Sequence, residues 1–191
     1  MAKEQTTTTK KDEVLTIEGK GRDGLGRNNK GTLIITGDAG SYVGESNKGK
    51  ILIEGNVRGH LGLKNRGEIL VKGDAGMGVG NANKGEITVK GDTGAAVGWA
   101  NQDKIVVERN TGDWLGLKNR GEILVKGDAG NYVGDNNRGK IIIKGNARND
   151  LGYGKGEITV EGTIESLHKN ASGTIRAGNV KEDRGRPWTK L

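Results

Sequence analysis

Several residue types that build common kinds of protein are rare or missing from this chain of 191 residues. It has no cysteine, no phenylalanine, a single proline and only two histidines. The absence of cysteine excludes a disulfide scaffold and a cysteine-ligated metal site, and the lone proline excludes collagen. No apolar run approaches the roughly 20 residues that cross a bilayer, and the N-terminal residues lack the apolar stretch of a secretory signal. These absences predict a soluble, cytoplasmic protein with no membrane association.

What the chain has instead is glycine, 36 residues in all, spaced at regular intervals. From Val14 onward the sequence divides into seven units of 18 residues, followed by two of 17 and a fragment. The stretch LGLKNRGEILVKGDAG occurs at 61–76 and again at 115–130, three units apart. Internal repeats of fixed period are typical of solenoids, in which each unit forms one coil. Positions within a coil are counted from its first residue, so that Val14 opens the first coil.

The apolar residues recur at fixed positions of the coil. The second and fourth positions are Leu, Ile or Val, from Leu15 and Ile17 to Ile158 and Val160, which indicates a short strand with both side chains pointing inward. The twelfth position is Leu or Val throughout, and glycines stand where the chain must turn. Because stacked coils bury one another's apolar faces, the pattern predicts an all-β fold, a single-stranded parallel β-helix of about nine 18-residue coils. Its predicted bounds are 14–179, with a polar N-terminal tail at 1–13 and a basic C-terminal tail at 180–191.

Two other solenoids also advance by 18 residues per coil. A left-handed hexapeptide helix needs an aliphatic residue at every sixth place, but the fourteenth position includes Arg27, Glu45, Asn81 and Asp135. Calcium-binding nonapeptide rolls need paired glycines, and the chain has no Gly-Gly pair. Both alternatives are therefore disfavoured. The residues alone leave the hand of the helix open, although parallel connections are generally right-handed.

The glycine spacing G-x-x-G-x-x-x-G, flanked by I-x-V strands, appears as GDAGxYVG at 37–44 and at 127–134. The glycines of these two coils are Gly37, Gly40, Gly44, Gly127, Gly130 and Gly134. Over most of the chain the repeat closely resembles the GXGXG repeat found in one subunit of formylmethanofuran dehydrogenase and in the C-terminal domain of the glutamate synthase large subunit. The resemblance implies a right-handed parallel β-helix that is non-catalytic and holds catalytic domains or subunits in place. It also implies a redox enzyme that handles formyl groups or glutamate as the partner.

The sixteenth position is asparagine in seven consecutive coils: Asn29, Asn47, Asn65, Asn83, Asn101, Asn119 and Asn137. Amides at the same place in stacked coils form a ladder, in which each side chain bonds the one above and the one below. We interpret these asparagines as structural residues. Acidic and amide side chains also alternate at the seventh position, where they are expected to bond their own backbone in turns.

Basic residues follow the asparagines at the seventeenth position and predict a ridge along one edge: Lys30, Lys48, Arg66, Lys84, Gln102, Arg120 and Arg138. With a net charge of +7, such a ridge is a candidate nucleic-acid or other polyanion site. Neighbouring glutamates at the first and fifth positions are expected to neutralise much of it. A solvated ridge that discourages unwanted strand pairing is the preferred interpretation.

The third position must point outward, since its two neighbours point inward, yet it is aliphatic in six coils: Ile34, Leu52, Leu70, Val106, Leu124 and Ile142. We call this row the aliphatic stripe. A contiguous apolar patch on a soluble protein usually marks an interface. Outward aromatic residues, among them Trp114, are expected to extend it. Trp188, in the basic tail, is expected to join the interface or to cover the stripe within the chain.

No catalytic constellation can be assembled from the repeat, because His60 and His168 lie about six coils apart and no recurring Ser-His-Asp or paired-carboxylate arrangement occurs. No cofactor and no metal site is expected. The preferred function is a structural subunit that docks through the aliphatic stripe onto a copy of itself or onto a catalytic partner. A self-assembling filament, formed by stacking of uncapped coil ends, and a polyanion binder remain as alternatives.

Overall fold

The structure, a computed structural model, describes residues 9–191. This part of the chain contains strands, turns and loops and no helix. Its thirteen strands are β1 (Val14–Glu18), β2 (Thr32–Thr36), β3 (Ala39–Ser41), β4 (Lys50–Ile53), β5 (Val57–Gly59), β6 (Glu68–Val71), β7 (Glu86–Val89), β8 (Lys104–Val107), β9 (Glu122–Val125), β10 (Lys140–Ile143), β11 (Glu157–Ser166), β12 (Thr174–Glu182) and β13 (Thr189–Lys190).

Eleven of these strands form one parallel sheet in the order β1-β2-β4-β6-β7-β8-β9-β10-β11-β12-β13. From β1 to β12 the register advances by one repeat at each step, so that Leu15 pairs with Leu33 and Leu33 with Ile51. The shortened eighth coil is absorbed without a slip, because Lys140 still pairs with Glu157 at the first position. The predicted fold class is confirmed as a β-solenoid of about nine coils. Its right-handedness stays a prediction.

The core is a column that runs through the centre of the coils. Side chains of the second and fourth positions are 0–3% exposed from the second coil onward, as at Leu33 and Ile158. The twelfth position is at most 1% exposed from Leu25 to Leu151, and Leu167, which bridges to Leu151, takes the same place in the ninth coil. A third row enters at the eighth position, where β3 pairs with β5 and single bridges continue the ladder along the rod. Three rows of small and branched side chains therefore fill the centre of the coils.

Glycine is required at the thirteenth position, where the chain turns beside the core. Gly44 has a φ of +71°, and an added Cβ would lie 2.7 Å from Ile69 Cδ1. Gly37 and Gly134 are also left-handed, whereas Gly40, Gly127 and Gly130 pack directly against the preceding coil. The repeat spacing of these glycines therefore reflects two different needs, a positive φ and a close approach of backbones.

The two ends of the solenoid differ from the predicted tails. Residues 1–8 lie outside the described residues, but Thr9 is buried and its carbonyl accepts a hydrogen bond from the Lys30 N–H at 3.2 Å. At the other end β12 continues to Glu182, and β13 pairs with it in parallel. Strand β12 therefore runs past residue 179, the predicted end of the helix, and β13 places part of the basic tail beside the last coil.

Candidate protein-docking face

The aliphatic stripe lies on the outward face of the large sheet. Its residues are direct neighbours in the parallel register, with Ile34 beside Leu52 and Leu52 beside Leu70. Thr88 interrupts the aliphatic row in the fifth coil, and Val106 resumes it. A shallow apolar groove runs over Ile34, Leu52, Leu70 and Thr88. The stripe is therefore a straight row rather than a set of scattered apolar residues.

Each side chain in the stripe is partly covered by neighbouring residues of the sheet. Ile34, Leu52, Leu70, Leu124 and Ile142 are half-buried. Val106 is 8% exposed and contributes least to the accessible surface. The sequence predicts that these six side chains point outward, and the structure places them so because β-strand side chains alternate between the two faces of a sheet.

Ion pairs border the stripe on both sides. Along the first position, Lys50 pairs with Glu68 at 2.9 Å and Lys104 with Glu86 at 2.8 Å. Along the fifth position the pairs are Lys72 with Glu54 at 3.1 Å, Lys90 with Glu108 at 3.3 Å, Lys126 with Glu108 at 2.5 Å, and Lys144 with Glu161. Each pair joins adjacent coils, so that the charged borders run parallel to the stripe.

Two border residues have shifted pKa values. The hydrogen bond from Lys104 to Glu86, aided by the attraction between their charges, raises the pKa of the Lys104 ammonium above its ordinary value. The hydrogen bond from Lys126, with a second from Lys90, lowers the pKa of the Glu108 carboxyl. Both shifts favour the charged forms of Lys104 and Glu108.

The seven asparagines at the sixteenth position stack as the sequence predicts, and all are 0–1% exposed. Each amide nitrogen donates to the amide oxygen of the next asparagine at 2.8–3.0 Å, from Asn29 to Asn137. The same nitrogen also donates to the carbonyl two residues ahead, as Asn65 does to Gly67 at 2.8 Å. We call this row the asparagine ladder. Its donors and acceptors are used within the protein, which leaves no free amide edge for a ligand.

The N-terminal end of the asparagine ladder carries a residue that the repeat pattern does not predict. The Thr9 hydroxyl donates to Asn29 Oδ1 and accepts from the Gly31 N–H at 2.9 Å. Thr9 therefore occupies the place of a further asparagine. No repeat signal marks it, because it occurs once and precedes the first coil.

The seventh-position side chains act differently from the expectation. Asp38 Oδ1 accepts from the backbone N–H of Asn56 at 2.7 Å, and Asp74 Oδ1 from that of Asp92 at 2.8 Å. The bond therefore crosses to the next coil instead of closing a turn on its own backbone. This second ladder adds an inter-coil contact on the outside of the solenoid.

The basic ridge is exposed along its length. Within residues 9–191, none of its six basic side chains forms an ion pair with a carboxylate. The first- and fifth-position glutamates instead pair with lysines of their own rows. In the described part of the chain the ridge is therefore not neutralised by direct ion pairs, although Glu68, Glu86 and Asp103 line the same groove as Lys48, Arg66 and Lys84.

The aromatic residues lie away from the stripe. Trp114 stacks on Tyr132 with ring centroids 5.9 Å apart, and Tyr42 stacks on His60 at 4.7 Å, all at the eleventh position and outside the large sheet. Trp188 is partly buried and packs against the core. Trp114 therefore lies in an aromatic row separate from the stripe, and Trp188 packs at the last coil; their part in an interface stays a prediction.

No group of three or more His, Asp or Glu side chains in residues 9–191 is arranged to hold a metal ion. No helix in the same residues is long and apolar enough to cross a membrane. Comparisons of the chain with protein-family models, with curated proteins and with solved structures find no match. The GXGXG likeness therefore remains a resemblance of motif.

Proposed function

We propose that this protein is a non-catalytic structural scaffold, a β-solenoid that docks onto another protein surface through its aliphatic stripe. The observation that carries the proposal is the stripe itself, a straight line of outward apolar side chains on a regular sheet. Exposed apolar rows of this kind mark protein interfaces, since water contact with them is unfavourable. The resemblance to GXGXG-repeat proteins implies a catalytic subunit as the partner, and a copy of the chain is the other candidate for the stripe.

The ion-paired borders support docking on this face. Paired lysines and glutamates form a polar rim around an apolar centre, which is the usual anatomy of a protein interface. Their pairing along the rod leaves the face with balanced charge instead of a single-sign field. The face therefore presents a partner with an apolar row between two charged rows, all running along the rod.

Site-specific photocrosslinking in the native cells tests the proposal. We replace Leu124 in the stripe with a benzophenone amino acid, and make the same replacement at Tyr132 as the control. Both sites accept an aromatic group, because Leu124 is half-buried and Tyr132 is 42% exposed. We expect discrete protein adducts from the Leu124 site that disappear when Leu70→Asp is added. Adducts of equal pattern from both sites, or none from the stripe, would overturn the proposal.

Polyanion binding is a second candidate, favoured by the unpaired basic ridge. Six cationic side chains along one edge, about 4.8 Å apart per coil, would release counterions from a nucleic acid and bind it in a salt-dependent way. The Arg66→Glu, Arg120→Glu variant is expected to lose retention on DNA, whereas Leu70→Asp retains it. Equal retention of all three proteins, or none by the unchanged protein at low salt, contradicts this candidate.

The filament alternative is weakened by the C-terminal end of the solenoid. Growth end to end requires a free strand edge on the last coil, but β13 pairs with β12 at Arg176 and Ala177. Trp188 also packs against the core there. Stacking of subunits would first have to displace this segment.

A further inference from the structure

The charges at the two borders of the stripe follow a rule within each coil. In the third to seventh coils the first and fifth positions always carry opposite charges: Lys50 and Glu54, Glu68 and Lys72, Glu86 and Lys90, Lys104 and Glu108, Glu122 and Lys126. In the eighth and ninth coils the signs are equal, as with Lys140 and Lys144. The rule therefore covers the same part of the rod as most of the stripe.

Contacts within one chain do not explain this rule. The two positions lie four residues apart on an extended strand, about 13 Å at 3.3 Å per residue, with the stripe between them. The ion pairs of the borders all run between coils along a single border, such as Lys50 with Glu68 and Lys72 with Glu54. Such pairs account for the order of charges along each border. They do not determine which sign of charge the first position carries relative to the fifth position of the same coil.

From this we infer that the occupant of the stripe is a second copy of the chain, packed face to face about a twofold axis parallel to the rod. This inference rests on the proposed function and names its partner. The rotation reverses the strand direction and keeps the coil number. It therefore sets the first position of each coil against the fifth position of the same coil in the other copy, and each stripe residue against itself.

All ten border contacts of coils three to seven are then between opposite charges. Lys50 faces Glu54 of the other copy, and Glu68 faces Lys72. Because Lys50 already pairs with Glu68 and Glu54 with Lys72, the four side chains close a square of alternating charge. Glu86, Lys104, Lys90 and Glu108 close a second square in the same way. Packed sheets lie about 10 Å apart, a gap that facing lysine and glutamate side chains span together.

The opposite orientation fits less well. A twofold axis perpendicular to the rod sets the first position against the first position of the other copy, with the coils in reverse order. Centred on the fifth coil, it places Glu86 against Glu86 and Lys90 against Lys90. Every register centred between the fourth and the sixth coil sets like charges opposite each other on both borders. The parallel arrangement alone satisfies all five coils.

The size of the face sets the expected affinity. Six coils from Ile34 to Leu124 span about 29 Å, and the width between the borders is about 13 Å. The two corrugated faces together bury on the order of 1,000 Å², at the lower limit of specific interfaces. We therefore expect a dimer that dissociates in the micromolar range and weakens in high salt.

A charge exchange tests the arrangement without changing net charge or the pairs within a chain. Lys50→Glu with Glu68→Lys reverses one border in two coils, so that four facing contacts become repulsive. Adding Glu54→Lys with Lys72→Glu restores opposite charges at the same contacts. By sedimentation over a micromolar concentration series, we expect the twofold variant to raise the dimer Kd at least about tenfold. The fourfold variant should return it to within about threefold of the unchanged protein.

A second measurement reads the orientation directly. The chain has no cysteine, so Leu52→Cys introduces a single thiol into the stripe. A short bismaleimide should join two copies of this variant, because the residue faces itself in the parallel arrangement. In the opposite orientation centred on the fifth coil, Leu52 faces Leu124, and crosslinking would require a mixture of Leu52→Cys and Leu124→Cys.

The outcomes separate this inference from the proposed function. A twofold variant that weakens the dimer and a fourfold variant that fails to restore it would overturn the parallel arrangement. A protein that sediments as a monomer at every concentration would overturn the second copy as occupant. Stripe-specific photoadducts of a different mass would then still support docking, whereas their absence would remove the proposed function as well.

Discussion

The asparagine ladder and the aliphatic stripe both run along the solenoid with one residue per coil, but the ladder is buried and the stripe is in contact with water. The asparagines are 0–1% exposed, while most aliphatic residues of the stripe remain accessible. Each buried amide forms hydrogen bonds with the neighbouring coil. Its burial therefore does not carry the free-energy cost of an unpaired polar group. The stripe has no covering element in the described residues. In a solenoid, the position of a residue within the coil determines whether its side chain is buried. Hydropathy alone would place the asparagines outside and the aliphatic residues inside, and both placements are wrong.

The largest effect is expected from breaking the asparagine ladder at its centre. Asn83 donates to Asn101 at 3.0 Å and accepts from Asn65 at 3.0 Å and from the Gly85 N–H at 3.2 Å. Asn83→Ala leaves several of these buried groups unpaired, at about 1–3 kcal/mol each. We expect a loss of about 3 kcal/mol or more in the free energy of unfolding, measured by chemical denaturation.

Asn81→Ala is the matched control, because Asn81 lies in the same turn outside the ladder and its side-chain oxygen is already unpartnered. It should cost less than about 1 kcal/mol. Equal losses for the two variants would mean that the ladder has no special stabilising role.

A smaller effect is expected at the end of the asparagine ladder. Thr9→Val keeps the shape of the side chain and removes the hydroxyl that bonds Asn29 and Gly31. Because one acceptor and one donor are left without this partner, we expect a loss of about 1–2 kcal/mol. Faster amide hydrogen exchange in β2 should accompany it. Thr16→Val, at an exposed site of the first coil, is the control and should change neither the stability nor the exchange rate. If Thr9→Val also leaves both unchanged, water replaces the hydroxyl.

Much of this contrast follows from the repeat in the sequence. Seven asparagines at one position predict a ladder, and the row from Ile34 to Ile142 predicts an outward stripe, because each pattern is sampled many times. Single features have no such signal. Thr9 and Trp188 close the two ends by contacts that occur once, so no periodicity predicts them.

The conformation of the turns is also hard to predict from the sequence. Tyr42, Trp114 and Tyr132 adopt φ values of 57–60°, a left-handed conformation that bulky residues rarely adopt. The position is shared with Gly24 and Gly78, so its backbone is imposed by the stacked coils rather than by the residue. Only the glycines at this position indicate the conformation.

The charged border of the stripe should give a smaller, pH-dependent effect. Lys126 and Lys90 lower the pKa of Glu108, so its ionised form stabilises the folded state. This contribution is present above the ordinary glutamate pKa of about 4.3 and is lost as the pH falls through the lowered value. Glu108→Gln should therefore cost up to about 1 kcal/mol at neutral pH and nothing in acid.

Denaturation at a series of pH values measures this difference directly. Glu157→Gln serves as the control, since Glu157 reaches Arg176 only at 4.0 Å and its side chain is 51% exposed. A difference between Glu108→Gln and the unchanged protein that grows toward low pH would contradict the predicted direction of the effect.

The smallest effect on folding is expected within the stripe, at Leu70. Thr88 already occupies the same row one coil away, so Leu70→Thr places a strand-forming residue where the fold accepts one. In dilute solution, where copies are separate, we expect the free energy of unfolding to change by less than about 0.5 kcal/mol. At high concentration the same variant should weaken association of the copies. A loss of more than about 2 kcal/mol in dilute solution would show that the stripe stabilises the monomer, and the contrast with the buried asparagines would then be one of degree.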